Sequence, residues 1–323
     1  MNCNTESQTY HHVPVLSDEV LKYLQCEHGK TYIDCTLGGA GHAKRIEQVI
    51  APDGQLIAID QDIEAIHNAQ TTLSKKTIIV HGNFKNVRDI LDQLGIDAVD
   101  GIIADLGISL FHIKQSGRGF SFMKSEPLDM RMNPQTKTTA TDILATLSEK
   151  ALADLFWRYG EERFSRQVAK KIVRIRSINP IESTTHLCNI IKETIPIQVQ
   201  KRMHIHPATR IFMALRMAVN TELDCISVFL ENVLSCLNPG GRLCMISFHS
   251  LEDRLIKHCM RKWEKPCTCP KDLPECVCNQ VSRGVCIKRK GILATPDEIK
   301  QNPMARSARL RIFEKNRHPS FTS

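Results

Sequence analysis

Apolar and polar positions follow two different periods along this chain. Before residue 110, four short apolar, β-branched runs recur: TYIDCTL (31–37), QLIAID (55–60), TIIVHG (77–82) and DGIIADLG (100–107). Segments of helical spacing, such as DIEAIHNAQTTL (62–73), separate them. Strands alternating with helices predict a parallel sheet covered on both faces and joined by right-handed crossovers. After residue 115 the pattern changes. Between Glu126 and Arg202 no stretch reads as a strand, and helical spacing dominates TDILATLSEKALADLFWRYG, ERFSRQVAKKIVRIR and TTHLCNIIKETI. The segment HPATRIFMALRMAVNTELDCISVFLENVLSCL (206–237) reads as one long helix or a pair, with NPGG as its stop. Strand spacing returns in GRLCMISFHS (241–250) and SARLRIFEK (307–315). The expected architecture is α/β, with residues 1–115 and 205–323 forming one discontinuous domain and 116–204 an inserted helical domain.

Composition narrows the class. A hydrophobic fraction of 42% and a charged fraction of 24% suit a soluble globular protein. No apolar stretch reaches the roughly 20 residues of a membrane span. The opening MNCNTESQTYHH lacks the basic start and apolar core of a secretory signal, so a cytoplasmic location is expected. There the thirteen cysteines are expected to be reduced thiols. The net charge of +8 adds a mild preference for an anionic partner.

The first candidate chemistry lies in TLGGAGHAKR (36–45), between the first strand and the next helix. Glycines there permit positive φ and close approach of a ligand, and the following helix start presents free N–H groups. The dinucleotide fingerprint would require a third glycine where this chain has Lys44, which disfavours a nicotinamide oxidoreductase. A ligand without phosphate escapes that objection. Asp60 ends the second strand and can accept from both hydroxyls of a ribose. Loop and carboxylate together describe S-adenosylmethionine, bound at the carboxyl ends of the strands. Phe84, after the third strand, either stacks on the adenine or packs in the core. Asp105 ends an otherwise apolar strand, where a carboxylate serves better as a ligand than as core.

The blocks HVPVL, DCTLGGAGH, DGIIADLGIS, RGFSFM…PLDMRM, YGEERF, HPATR, VNTELD, ISFHSLEDR and NPMARSARLR occur in that order. Together they resemble the bacterial 16S ribosomal RNA cytosine-N4-methyltransferase family over nearly the whole chain. The resemblance implies a Rossmann-like class I methyltransferase sheet with an inserted all-helical domain. It implies S-adenosylmethionine as cofactor and 16S rRNA or the small ribosomal subunit as partner; no obligate protein partner is inferred. Carried over motif by motif, the cofactor site comprises Ala40, Gly41, His42, Asp60, Phe84, Asp105 and His112. This chain departs from the family pattern at Leu110, His112 and Met213, where the family usually has serine, glutamine and glutamine.

Transfer to an exocyclic amine requires amine, methyl and sulfur in line, and an acceptor that localises the nitrogen lone pair and takes its proton. Candidate acceptors are Asp105, Ser109, Asp129 and His249, with none preferred on sequence grounds. Carbon-5 methylation, which needs a cysteine nucleophile, is disfavoured because the cysteines of KPCTCP lie beyond the last core strand rather than after separate strands. A non-catalytic RNA-binding protein on the same scaffold is the alternative.

Two further features stand apart. Cys267, Cys269, Cys276 and Cys278 fall within twelve residues and suit either a tetrahedral structural zinc or a set of thiols in a proline-pinned surface loop. On a helix over ERFSRQVAKKIVRIR, Phe164, Val168, Ile172 and Ile175 share one arc of about 80°. Arg163, Arg166, Lys170 and Arg174 share the opposite one, a candidate contact for RNA phosphates.

Overall fold

A computed structural model describes residues 14–270 and 277–317. Seven strands form one sheet: β1 (Thr31–Asp34), β2 (Gln55–Asp60), β3 (Ile78–His81), β4 (Val99–Asp105), β5 (Leu237–Ser247), β6 (Gly284–Leu293) and β7 (Arg309–Lys315). Their order is β3-β2-β1-β4-β5-β7-β6. The first five run parallel, whereas β7 is antiparallel to both β5 and β6. The sheet is therefore mixed rather than all parallel, and it is the Rossmann-like sheet that the resemblance implied.

The near-continuous apolar runs of the central strands follow from burial on both faces. Successive residues point to opposite sides. Ile33, Ile57, Ile59 and Ile102 pack with Phe229, Ile256 and Trp263 from the helices Glu222–Asn232 and Ser250–Glu264. Their neighbours Tyr32, Leu56, Ala58 and Ile103 pack on the other face with Val20, Leu24 and Ile46 from the helices Ser17–Leu24 and Gly41–Ile50.

β6 escaped the sequence reading because Lys288, Arg289 and Lys290 break its alternation. It is an edge strand, and its register shifts between Ile287 and Ile292, where Lys288 and Gly291 take φ of 57° and 76°. Charge and a bulge on an edge protect it from pairing with other chains.

The segment 206–237 is a pair of helices, Thr209–Val219 and Glu222–Asn232, broken at Thr221 with φ 47°. The second ends at Asn232, and NPGG lies within β5 rather than serving as the helix stop. The first packs into a separate apolar cluster running from Phe120 to Val219, built also from the helices Ala140–Thr146, Glu149–Gly160, Ser165–Arg176 and Thr184–Thr194. Between Glu126 and Arg202 the one sheet-like pairing among the described residues is an isolated bridge from Pro127 to Ser183. No helix among the described residues is long and apolar enough to cross a membrane.

Candidate active site

A cleft of about 1150 Å³, counting its open mouth, lies at the carboxyl ends of β1, β2 and β4. Its floor is the turn from Thr36 to Gly41. Leu37 N–H donates to the Ile59 carbonyl and Ala40 N–H to the Leu37 carbonyl, which folds the turn tightly against β2. Ala40 caps the helix Gly41–Ile50 at φ 61°. A Cβ on Gly41 would stand 3.0 Å from the Pro14 ring, so any larger residue would push Pro14 back by a few tenths of an ångström.

Asp60 faces this turn. Its two carboxylate oxygens accept from the N–H groups of Gly38 (2.8 Å) and Asp62 (2.9 Å). Each oxygen keeps a second lone pair for a ligand hydroxyl. Burial pushes its carboxyl up, although both N–H donors oppose the shift.

Beyond the turn, His42 lies between two acids. Its Nε2 is 3.6 Å from Asp105 Oδ2. His42 Nε2, Asp105 Oδ1 and Asp34 Oδ2 are all buried and have no hydrogen-bond partner. Burial raises the Asp34 carboxyl to about 6, against the pull of His42. Three unsatisfied polar atoms beside one cleft are unusual in a folded interior, where nearly all such atoms are paired.

Ser109 and His112 also line the cleft, but their polar atoms are committed elsewhere. Ser109 caps the short helix Leu110–Lys114, accepting from His112 N–H, while His112 Nδ1 accepts from Ser109 N–H. His112 Nε2 lies 2.7 Å from Asp62 Oδ2, which also accepts from Arg118 at 2.6 Å. Burial alone would raise the Asp62 carboxyl; the hydrogen bonds of His112 and Arg118 outweigh it and hold it low. Phe84 lines the cleft and also packs edge-on against Phe229 at 5.3 Å.

Asp129 and His249 are not among the cleft-lining residues. Asp129 is held by Arg131 through both carboxylate oxygens, at 2.8 and 2.7 Å. Its carboxyl is lowered because those bonds outweigh its burial. His249 caps the helix Ser250–Glu264, with its Nε2 3.0 Å from Glu252. It faces an adjoining groove with Arg254, Lys257, His258 and Arg309, and Phe248 borders both groove and cleft.

Sequence reasoning assigned no role to Asp34, nor to Asn220 and Glu222, which line the cleft from the break between the paired helices. The last two stand in VNTELD, so that block was the available signal. Cys267, Cys269 and Cys278 come together, with their Sγ atoms within 4.8 Å of one another. Cys276 lies outside the described residues. Arg166, Lys170 and Arg174 are exposed on the helix Ser165–Arg176, opposite buried Val168 and Ile172. Arg163 is exposed too but precedes that helix, and Glu162 beside it is buried, accepting from Phe164 N–H.

The chain is similar to known proteins over nearly its whole length. The model of the MraW methylase family matches residues 9–316. A ribosomal RNA small subunit methyltransferase H of Desulforapulum autotrophicum is 48% identical over 306 residues, covering 94% of this chain and 98% of that protein. The protein of the same name from Symbiobacterium thermophilum is 44% identical, covering 95% and 97%. A solved rRNA methylase from Streptococcus thermophilus is 11% identical, with TM-score 0.38 over 93% of each chain. With the family model spanning nearly all of the sequence and the unpaired acids gathered at the strand ends, the chain belongs to the MraW methylase family of S-adenosylmethionine-dependent methyltransferases.

Proposed function

We propose that this protein methylates the exocyclic N4 amine of a cytosine in 16S rRNA. The observation that carries the reading is Asp105: a carboxylate at the end of an apolar strand, its Oδ1 buried beside the cleft with no partner. An acceptor left unpaired in a folded protein costs about 1–3 kcal/mol, which a donor arriving with the substrate recovers. The relatives named ribosomal RNA small subunit methyltransferase H support the choice of rRNA.

The cleft suits the cofactor. Asp60 is placed to accept ribose hydroxyls, Phe84 to cover the adenine, and the turn Ala40–His42 to meet the amino-acid end. S-adenosylmethionine, when bound, supplies a methyl already activated on a sulfonium. The protein then has to position and deprotonate the amine. The Asp105 carboxylate accepts one amine N–H, which concentrates the lone pair on nitrogen opposite the methyl. As nitrogen gains carbon it must lose a proton, and Asp105 takes it, with His42 Nε2 3.6 Å from its Oδ2. Of the remaining candidate acceptors, Ser109 is engaged in its helix cap, Asp129 lies outside the cleft and is held by Arg131 through both oxygens, and His249 borders the adjoining groove with its Nε2 held 3.0 Å from Glu252. That groove provides cations for a strand leaving the cleft past Phe248: Lys257 has no ion pair among the described residues, and Arg254 has only a loose one, 3.5 Å from Glu161.

Mass mapping of small-subunit rRNA from cells with and without the protein tests the reading. One cytosine should lose a methyl at N4 when the protein is absent. Unchanged rRNA would overturn it, and RNA binding by pure protein without methyl incorporation would favour a non-catalytic role.

A further inference from the structure

We propose that Cys267, Cys269 and Cys278 hold a structural zinc ion, which ties off the long segment between the helix Ser250–Glu264 and β6. The segment runs from Lys265 to Arg283 with no helix or strand among its described residues. Connections longer than about 12–15 residues without regular structure are uncommon in compact domains unless something holds them. Apolar packing does not hold this one at Val277, which is 72% exposed.

What gathers the segment is sulfur. Three Sγ atoms, two from one side of the loop and one from the other, lie within 4.8 Å of one another. A tetrahedral zinc with Zn–S bonds of about 2.3 Å sets its sulfurs about 3.8 Å apart, within the observed spacing. The neck of the loop is already closed. Arg283 N–H donates to the Trp263 carbonyl at 2.9 Å, and Asn316 Nδ2 donates to the Ser282 carbonyl at 2.8 Å. A metal between the thiolates would close the far part in the same way.

Burial raises the thiol of Cys26 to about 12 and those of Cys259 and Cys286 to about 11, which keeps them protonated inside apolar packing. Ligand thiols must instead give up their protons to the metal.

The site is remote from the methyl-transfer cleft. The helix Ser250–Glu264 starts beside Phe248 at the cleft, and its fifteen residues carry the chain about 22 Å before the cysteines begin. Loss of the metal should therefore loosen the loop and spare cofactor binding.

The test uses the full chain, purified under reducing conditions with zinc in the growth medium and then dialysed against metal-free buffer. Elemental analysis should find about one zinc per chain, falling at least tenfold in Cys269→Ser and in Cys278→Ser. Cobalt(II) in place of zinc should give the strong thiolate charge-transfer and tetrahedral ligand-field bands. Trypsin should cut the loop faster in both variants, while calorimetry with S-adenosylmethionine stays unchanged and reports that the sheet is folded. Zinc below a tenth of an equivalent in the unaltered chain, or zinc retained in both variants, would overturn the proposal. So would iron in its place, or a disulfide among these cysteines in protein prepared without oxygen.

Discussion

Asp34, Asp60 and Asp105 each end a strand on the cleft side of the sheet, and their surroundings give them different work. Asp60 is aimed by two backbone donors, so its loss should remove about two ligand hydrogen bonds. Asp60→Ala is expected to weaken S-adenosylmethionine binding roughly 10- to 100-fold in calorimetry with the fold intact, and unchanged affinity would remove Asp60 from the ribose site. Asp105 has one oxygen near His42 and one with no hydrogen-bond partner, which suits a group whose partner is substrate. Asp105→Ala should lower turnover by far more than about tenfold, or 1.4 kcal/mol of barrier, while circular dichroism stays native. Asp34 is buried outright, and its carboxyl rises from 3.8 to about 6. The folded state therefore holds that proton more tightly than the unfolded chain does. Its contribution is fully present below about pH 4 and is lost as pH rises through about 6, so at pH 7 the buried charge costs about 3 kcal/mol. Asp34→Asn should raise the denaturation midpoint at pH 7 and leave it unmoved near pH 4; an equal gain at both would show that charge burial is not the cause. Asp60 and Asp105 were legible because each closes an apolar run. Asp34 closes one too, in TYIDC, but a residue string does not distinguish a carboxylate awaiting a ligand from one buried in the interior.

At the scale of elements, the pattern was readable wherever burial was extensive, on both faces or on one. The central strands, apolar on both faces, and the helix Ser165–Arg176, apolar on one, both left a clear pattern. β6 left none, because an edge strand buries little and is protected by its lysines and arginine. The break at Thr221 was ambiguous because both helices it separates are apolar, each burying its face in a different cluster. The exposed stripe Arg166, Lys170 and Arg174 bears on RNA. Apart from Lys171, which pairs with Glu193 at 2.7 Å, no cation of this helix forms an ion pair among the described residues. Unpaired cations on a rigid face release counterions when they meet phosphates. Changing the three to glutamine should preserve cofactor affinity and weaken binding to rRNA or the subunit. The plot of log K against log salt should flatten by about 0.7–0.9 per lost phosphate contact. Parallel lines of equal affinity in a salt series would mean that the stripe only solvates the helix.

At the scale of the molecule, the helical block and the sheet meet around the cleft, and Asn220 is one place where they are fastened. Its Oδ1 accepts from Met132 N–H, and its Nδ2 donates to the carbonyls of Met130 and Arg216, all at 2.8 Å. Met130 is buried at φ 58°, a left-handed conformation that a non-glycine residue adopts at a cost of about 1–2 kcal/mol. Arg118 ties the same turn to the sheet, donating to the Arg131 and Met132 carbonyls and to Asp62 after β2. The blocks RGFSFM…PLDMRM and VNTELD are nearly ninety residues apart in sequence, with 88 between Met132 and Asn220, and their order in the chain gave no sign that they touch. Only the fold makes one site of them. Asn220→Ala would strand a buried N–H and a buried carbonyl, for an expected loss of about 2–4 kcal/mol in denaturant unfolding. The strained turn at Met130 would then relax, and because Met132 and Asn220 both line the cleft, cofactor affinity should fall with stability. Asn220→Asp keeps the acceptor for Met132 but sets a carboxylate oxygen against the Met130 and Arg216 carbonyls, and should cost at least as much as Asn220→Ala. Full cofactor affinity in a destabilised Asn220→Ala would show that the clamp serves folding alone. A midpoint within about 0.5 kcal/mol of the unaltered chain would show that the turn holds itself.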